Sequence, residues 1–130
     1  MLKVQELRIG NLVSQNGFFG YVYSIESALP REEERFSDKD VITLFDNGLT
    51  TVPIEEIIPI RLNERWLMRF GFSELEKNYR TFFVNNKFKL EMSNGGNVYY
   101  GKFWLPYVHS LQNLYFALTG VELELSSNVA

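Results

Sequence analysis

Few residues of this chain are suited to acid–base or nucleophilic chemistry. The 130 residues include one histidine, His109, and no cysteine. A thiolate nucleophile, a disulfide and a cysteine-ligated metal site are therefore excluded, and so is a His–His metal pair. His109 falls in the first turn of a predicted helix, where the helix dipole disfavours a protonated imidazole. Its neighbour Ser110 cannot face it on that helix. We therefore predict that His109 makes local contacts and has no catalytic role.

The acidic residues do not form a recognisable cation site. Five of them fall between residues 31 and 40, at Glu32, Glu33, Glu34, Asp38 and Asp40. Carboxylates suit a hard cation such as Ca²⁺, but these lack the alternating spacing of a calcium loop. The pattern predicts a solvated acidic loop. Because the glycines also fit no phosphate-binding pattern, we predict no catalytic residue, no metal and no cofactor, and we expect that the protein is not an enzyme.

The second half of the chain combines basic and aromatic residues. Three arginines recur every fourth residue on a predicted helix, and two lysines alternate on a predicted strand that is followed by an aromatic strand. Basic groups beside aromatic rings suit single-stranded nucleic acid, through phosphate contacts and base stacking. The alternative is that the cations are solvated faces and the aromatic residues are core. The candidate nucleic-acid residues are Arg61, Arg65, Arg69, Lys87, Lys89, Tyr99 and Trp104.

Charge is distributed unevenly along the chain. The net charge is −3, and residues 1–60 carry five Lys/Arg against ten Asp/Glu, whereas residues 61–130 carry eight against six. Hydrophobic residues make up 45% and aromatic residues 15%, which is typical of a folded domain. No apolar run approaches the roughly 18 residues of a membrane span, and the first residues lack an apolar run of signal-peptide length. We expect a cytoplasmic protein with no membrane contact.

The pattern predicts strands first and helices later. Turn signals at Asn16-Gly17 and 46–48 separate short strands that are rich in β-branched and aromatic residues. Asn63 is a good N-cap for a short helix that ends at Gly71. Alternation over 87–92 predicts a strand, and 98–104 predicts another. Strands that segregate from helices indicate an α+β fold.

The last helix is the clearest element. It is predicted over 107–119, ends at Gly120, and should bury Val108, Leu111, Tyr115 and Leu118 at helical spacing. Alternation over 121–125 indicates a last strand. We predict a small antiparallel sheet or SH3-like barrel over 1–60, strands packed with two short helices over 61–125, and a frayed tail over 126–130, together forming one compact unit.

Three segments, 6–13, 59–72 and 108–120, resemble a family of small uncharacterised proteins of Bacteroidetes bacteria and their phages. This resemblance implies a phage- or mobile-element setting and no known reaction. Residues 9–25, with Gly10, Gly17 and Gly20, are also similar to KOW and other SH3-like small barrels. The function that we expect is a non-catalytic protein-binding adaptor. The alternative is a nucleic-acid accessory protein that uses the basic, aromatic second half.

Overall fold

A computed structural model describes residues 2–126 of the chain. These residues contain nine strands and two α-helices, arranged as one four-stranded and one five-stranded antiparallel sheet. The fold is therefore mixed α+β. The chain divides into two compact units between Ile60 and Arg61. We call residues 1–60 unit 1 and residues 61–130 unit 2.

Unit 1 is built on strands β1 (Leu12–Gln15), β2 (Phe18–Glu26), β3 (Val41–Phe45) and β4 (Leu49–Pro53). They pair in the order β1-β2-β3-β4, each antiparallel to the next. The β1–β2 turn is Asn16-Gly17, and both residues have positive φ, 51° and 81°. This is the geometry of a type I′ hairpin, so the predicted turn is confirmed.

The sheet of unit 1 does not close, and the predicted SH3-like barrel is not confirmed. The small antiparallel sheet, which was the other half of that prediction, is present. A 3-10 turn (Ile54–Glu56) follows β4, and an isolated bridge then joins Ile58 to Ser14 of β1. One face of the sheet packs on a core of Leu2, Leu7, Val13, Val22, Ile42, Leu44, Val52 and Ile57.

Unit 2 contains β5 (Ser73–Lys77), β6 (Arg80–Asn85), β7 (Phe88–Met92), β8 (Val98–Tyr100) and β9 (Phe103–Trp104), paired in that order. The register places Phe83 beside Leu90, and both side chains are fully buried. Phe88 is also buried on this face, and its ring stacks on Tyr100 with the centroids 4.9 Å apart. We call this the inner face, and the opposite face the outer face.

Helix α1 (Glu64–Arg69) begins and ends as predicted. The side chain of Asn63 accepts a hydrogen bond from the Trp66 N–H at 3.1 Å, which satisfies one of the free donors at the helix start. Gly71 follows the helix with φ +85°, a conformation that glycine adopts without strain. Trp66, Leu67 and Phe70 are buried together, as their spacing predicted.

Helix α2 (Val108–Thr119) ends at Gly120 in the left-handed conformation, also as predicted. Val108 and Leu111 are fully buried, and the ring of Tyr115 contacts Phe88 at 5.0 Å between centroids. The predicted burial of Leu118 is wrong, because this side chain is 55% exposed. The buried residues of α2 all lie in its first two turns. The apolar residues at helical spacing continue beyond these turns, into the part of the helix that is exposed to solvent.

The predicted strand over 121–125 is also wrong. These residues belong to no strand, although Leu123 is buried. The N–H of Ser126 donates a hydrogen bond to the carbonyl of Arg69 at 2.6 Å. The rest of the predicted frayed tail, 127–130, lies outside the described residues. Within residues 2–126, no helix combines the length and the apolar character needed to cross a bilayer.

Candidate functional site

Unit 1 exposes large apolar side chains on the sheet face that points away from its core. Tyr21 of β2 lies directly opposite Phe45 of β3, which lies opposite Leu49 of β4. Phe19 is two residues before Tyr21 and so shares its face. All four side chains are between 39% and 58% exposed. We call this surface, made of Phe19, Tyr21, Phe45 and Leu49, the aromatic face.

The alternating residues of the same strands explain why the aromatic face points outward. Val22 and Leu44 face each other across β2 and β3 and are buried in the core. A Cβ on Gly20 would lie 3.3 Å from the Cβ of Leu44, a tight contact that a side chain could make only if Leu44 shifted slightly. Strand β2 is therefore apolar on both faces, and its sequence shows no alternation that distinguishes core from surface. The aromatic face was therefore not predictable from residue spacing in β2.

A small cavity of about 130 Å³ lies at the hairpin end of the same sheet. Its walls include Phe18, Phe19, Leu44 and Asp46. Phe18 is the most exposed phenylalanine of unit 1, at 70%. The cavity is too small for a drug-sized ligand, which needs about 300 Å³ or more, but it is large enough to accept one side chain of a partner.

The acidic loop of unit 1 is held by Arg31. The half-buried Arg31 guanidinium donates hydrogen bonds to the carbonyls of Phe36 (2.6 Å), Lys39 (2.9 Å) and Ser27 (2.8 Å). This arrangement leaves the side chains of Glu32, Glu33 and Glu34 exposed. Within residues 2–126, no group of three or more His, Asp or Glu side chains is arranged to hold a metal ion. The loop therefore presents an acidic surface.

The outer face of unit 2 carries a row of side chains across five strands. The register places Leu75, Phe82, Glu91, Tyr99 and Trp104 side by side, one on each strand from β5 to β9. Lys77, Arg80 and Lys89 share this face by alternation. Phe82 is buried beneath two of these cations, with Lys89 Nζ at 4.3 Å and Arg80 Cζ at 5.3 Å from its ring centroid.

One acidic residue interrupts this row. Glu91 accepts two hydrogen bonds from Arg80, from Nε at 2.8 Å and from Nη2 at 2.6 Å. The hydrogen bond from Arg80, reinforced by the charges of Arg80 and Lys89, lowers the pKa of Glu91 below its ordinary value. Glu91 is thus ionised at neutral pH, and it offsets part of the positive charge of the outer face.

The structure brings together some of the predicted nucleic-acid residues and separates others. Lys89, Tyr99 and Trp104 share the outer face, and Lys87 is exposed in the turn just before β7. Arg61 instead donates a hydrogen bond to the Asn97 side chain at 3.2 Å. Arg69 lies over the ring of Trp66, with Cζ 4.8 Å from the ring centroid.

The helix that carries Arg65 and Arg69 is associated with the other side of the sheet. The Asn85 side chain donates a hydrogen bond to the carbonyl of Phe70, at the end of α1. Asn85 is paired with Phe88, which points to the inner face, opposite to Lys89. The predicted combination of the helix arginines with the strand lysines is therefore not assembled on one sheet face.

The hairpin between β5 and β6 has an unusual turn. Its two loop residues, Asn78 and Tyr79, have φ of 54° and 63°. Such a type I′ turn favours Asn at the first position and Gly at the second. Tyr79 is a bulky residue in the left-handed region, and its side chain is fully exposed to solvent. The sequence signal for this hairpin was weak, because the glycine that would mark the turn is absent.

Replacement of Tyr79 by glycine should stabilise the protein by about 0.5–1 kcal/mol. Relief of the left-handed conformation gains about 1–2 kcal/mol, and the greater freedom of glycine in the unfolded chain offsets part of it. Tyr79→Ala removes the ring but keeps the Cβ, so it should give no such gain. Urea unfolding of the two variants measures the difference, and equal stabilities would contradict a strained turn.

His109 is 2% exposed and lies at the start of α2. Its ring is stacked on Tyr107, with the centroids 5.4 Å apart and the planes at 13°. The imidazole is thus covered by packing.

The geometry of the two surfaces is the available guide to function. Comparison with protein-family models, with curated proteins and with solved structures finds no match to this chain.

Proposed function

We propose that the protein is a non-catalytic adaptor that binds another protein through the aromatic face of unit 1. The observation that carries this proposal is the contiguous exposure of Phe19, Tyr21, Phe45 and Leu49 on three neighbouring strands. Contiguous exposed apolar residues on a folded domain mark interaction sites more often than chance. Aromatic residues are also enriched at the centres of protein interfaces.

The charge of unit 1 indicates the kind of partner. Residues 1–60 carry a net charge of −5, and Glu32, Glu33 and Glu34 are exposed. An acidic surface repels nucleic acid and attracts basic proteins, mainly by raising the association rate. We therefore propose a partner that presents an apolar centre with a basic rim.

The finer architecture of unit 1 is part of the same proposal. We propose that the segment around Ile58 acts as a fifth strand of an SH3-like barrel. The bridge to Ser14 supports this, with hydrogen bonds of 2.9 Å and 2.8 Å that run in both directions between Ser14 and Ile58. A closed edge would leave the aromatic face as the accessible apolar surface of the sheet.

The double substitution Tyr21→Ser and Phe45→Ser should abolish capture of the partner. Both side chains are half exposed, so the fold should be retained while the apolar contact is lost. The test is a tagged pull-down from a nuclease-treated lysate of a Bacteroidetes host, a source suggested by the resemblance described above, with bound proteins identified by mass spectrometry. The matched control is Leu118→Ser with Val121→Ser, two apolar residues of similar exposure in unit 2.

The proposal is supported if a basic protein is retained by wild type and by the control but is lost by the aromatic-face variant. It is overturned if both variants retain the same proteins. It is also overturned if sedimentation shows that the aromatic face joins two copies of this chain, since a self-associating surface needs no other partner.

A further inference from the structure

We propose that the outer face of unit 2 binds single-stranded nucleic acid. This surface is separate from the aromatic face and does not depend on the function proposed for it. The site is carried by strands β5 to β9, with Tyr99 and Trp104 as stacking residues and Lys77, Arg80 and Lys89 as phosphate contacts. The helix arginines Arg65 and Arg69 are not part of it.

The register supplies the stacking positions. Tyr99 of β8 and Trp104 of β9 are directly paired, so their side chains are neighbours on the same face. Trp104 is 55% exposed and lies on the edge strand, where one side of the sheet is open. Neighbouring strands are about 4.8 Å apart, so the row from Phe82 to Trp104 extends about 14 Å. A strip of this size can accept a few bases in succession.

The cations lie beside this row. Lys89 and Arg80 are held over the ring of Phe82, which fixes two positive groups on the same face as the half-buried Tyr99 and the exposed Trp104. Lys77 is directly opposite Arg80 in the register. The acidic residues of β5, Glu74 and Glu76, alternate with Lys77 and therefore point to the inner face. Positive charge is thus concentrated on the outer face although the whole protein is acidic.

Two local features of the β5–β6 hairpin lower its stability in the absence of a ligand. Lys77 and Arg80 are like charges in directly opposed positions, which destabilises a strand pair. Tyr79 is held at positive φ with its ring in solvent. Local rules are broken in this way most often at functional sites. Arg80 is already paired with Glu91, whereas Lys77 has no such pair within residues 2–126. A polyanion that neutralises Lys77 and has a base stacked on Tyr79 would account for both features.

The surface chemistry favours a single strand over a duplex. Exposed rings on a sheet stack with the faces of unpaired bases, whereas a duplex keeps those faces covered. Phosphate contacts alone would bind both forms. The preference for single strands is therefore the property that separates this proposal from general electrostatic attraction.

Fluorescence anisotropy with labelled oligonucleotides of about 12 nucleotides tests the proposal. The probes are a thymidine DNA, a uridine RNA, and a mixed-sequence DNA as a single strand and as a duplex. We expect the single strands to bind more tightly than the duplex. Trp104→Ala should weaken single-strand binding roughly fivefold to a hundredfold, which is the effect of losing one stacked base. Circular dichroism checks that the variant is folded.

Matched charge substitutions locate the site. Lys89→Gln should weaken binding and reduce the slope of log affinity against log salt by about 0.7, since one phosphate contact is lost. Arg65→Gln removes the same charge from α1 and should leave the slope unchanged. Glu91→Gln should strengthen binding roughly two- to fivefold, because it releases Arg80 and removes the acidic residue of the row.

Three results would overturn the proposal. They are no binding of any oligonucleotide at about 50 mM salt, equal affinity for single strand and duplex, and equal losses from Lys89→Gln and Arg65→Gln. The variant with Tyr21→Ser and Phe45→Ser serves as a further control. It should bind oligonucleotides like wild type, so failure of one proposal is distinguishable from failure of the other.

Discussion

Truncation of Phe83 to alanine should lower the free energy of unfolding by about 3–5 kcal/mol. Phe83 lies on β6, which is paired on both sides, with β5 and with β7. Its side chain is completely buried on the inner face, beside Leu90. Alanine at this position would remove most of a phenyl ring from a close-packed interior that collapses only in part around the space. Urea denaturation, with a slope unchanged from wild type, measures the loss.

Phe103→Ala is the matched control for this prediction. It removes the same side chain from the same sheet, but Phe103 is 69% exposed on the edge strand β9. Its effect should remain within about 0.5 kcal/mol of zero, as for most surface substitutions. Similar losses from both variants would show that burial does not decide the energetics of this sheet.

Local signals in the sequence predicted the parts of the fold that depend on a few neighbouring residues. Asn63 caps α1 because its side chain reaches the Trp66 N–H. Gly71 and Gly120 end the helices because each adopts a positive φ. The Asn16-Gly17 turn follows from the same backbone preference. Each of these outcomes is fixed within one helical turn or one hairpin, so a single sequence is sufficient to predict it.

The features of the fold that were not predicted depend on contacts with residues that are distant in the chain. The alternation over 121–125 resembles a strand, but a strand also needs a partner, and these residues have none among the named strands. The β5–β6 hairpin was not resolved from the sequence, since its turn residues Asn78 and Tyr79 include no glycine. The aromatic face was missed because β2 is apolar on both sides. In each case the periodicity of the sequence is either absent or misleading.

The candidate nucleic-acid site likewise was predicted where residue type decides and was not predicted where contacts between strands decide. The sequence identified Lys89, Tyr99 and Trp104 by residue type, and cross-strand register places them on one face. It also grouped them with Arg65 and Arg69 of α1. The end of that helix accepts a hydrogen bond from Asn85, which lies on the opposite face of the sheet. Phe82 and Arg80 were not among the predicted nucleic-acid residues, because their contribution depends on contacts between strands. Arg80 is bonded to Glu91, and Lys89 lies over the ring of Phe82. Register is a long-range property that residue spacing does not reveal.

Leu111→Ala should destabilise the protein by about 2–5 kcal/mol, whereas Leu118→Ala should change the stability by less than about 0.5 kcal/mol. The two leucines are seven residues apart, two turns along α2, and have the same intrinsic helix propensity. Leu111 is fully buried, and Leu118 is 55% exposed. The two substitutions therefore differ in the packing contacts that are lost, whereas their effects on helix propensity are nearly the same.

The contrast between these two leucines tests where α2 leaves the sheet. Apolar spacing along the helix predicts that both are core residues, and the structure places only Leu111 there. A cavity of about 420 Å³ lies where the second half of the helix separates from the sheet, lined by Phe88, Tyr100, Tyr115 and Leu118 among others. Equal losses measured by thermal and urea unfolding would mean that α2 packs along its whole length in solution. A large loss confined to Leu111→Ala would agree with a helix whose Leu118 side chain lies outside the core.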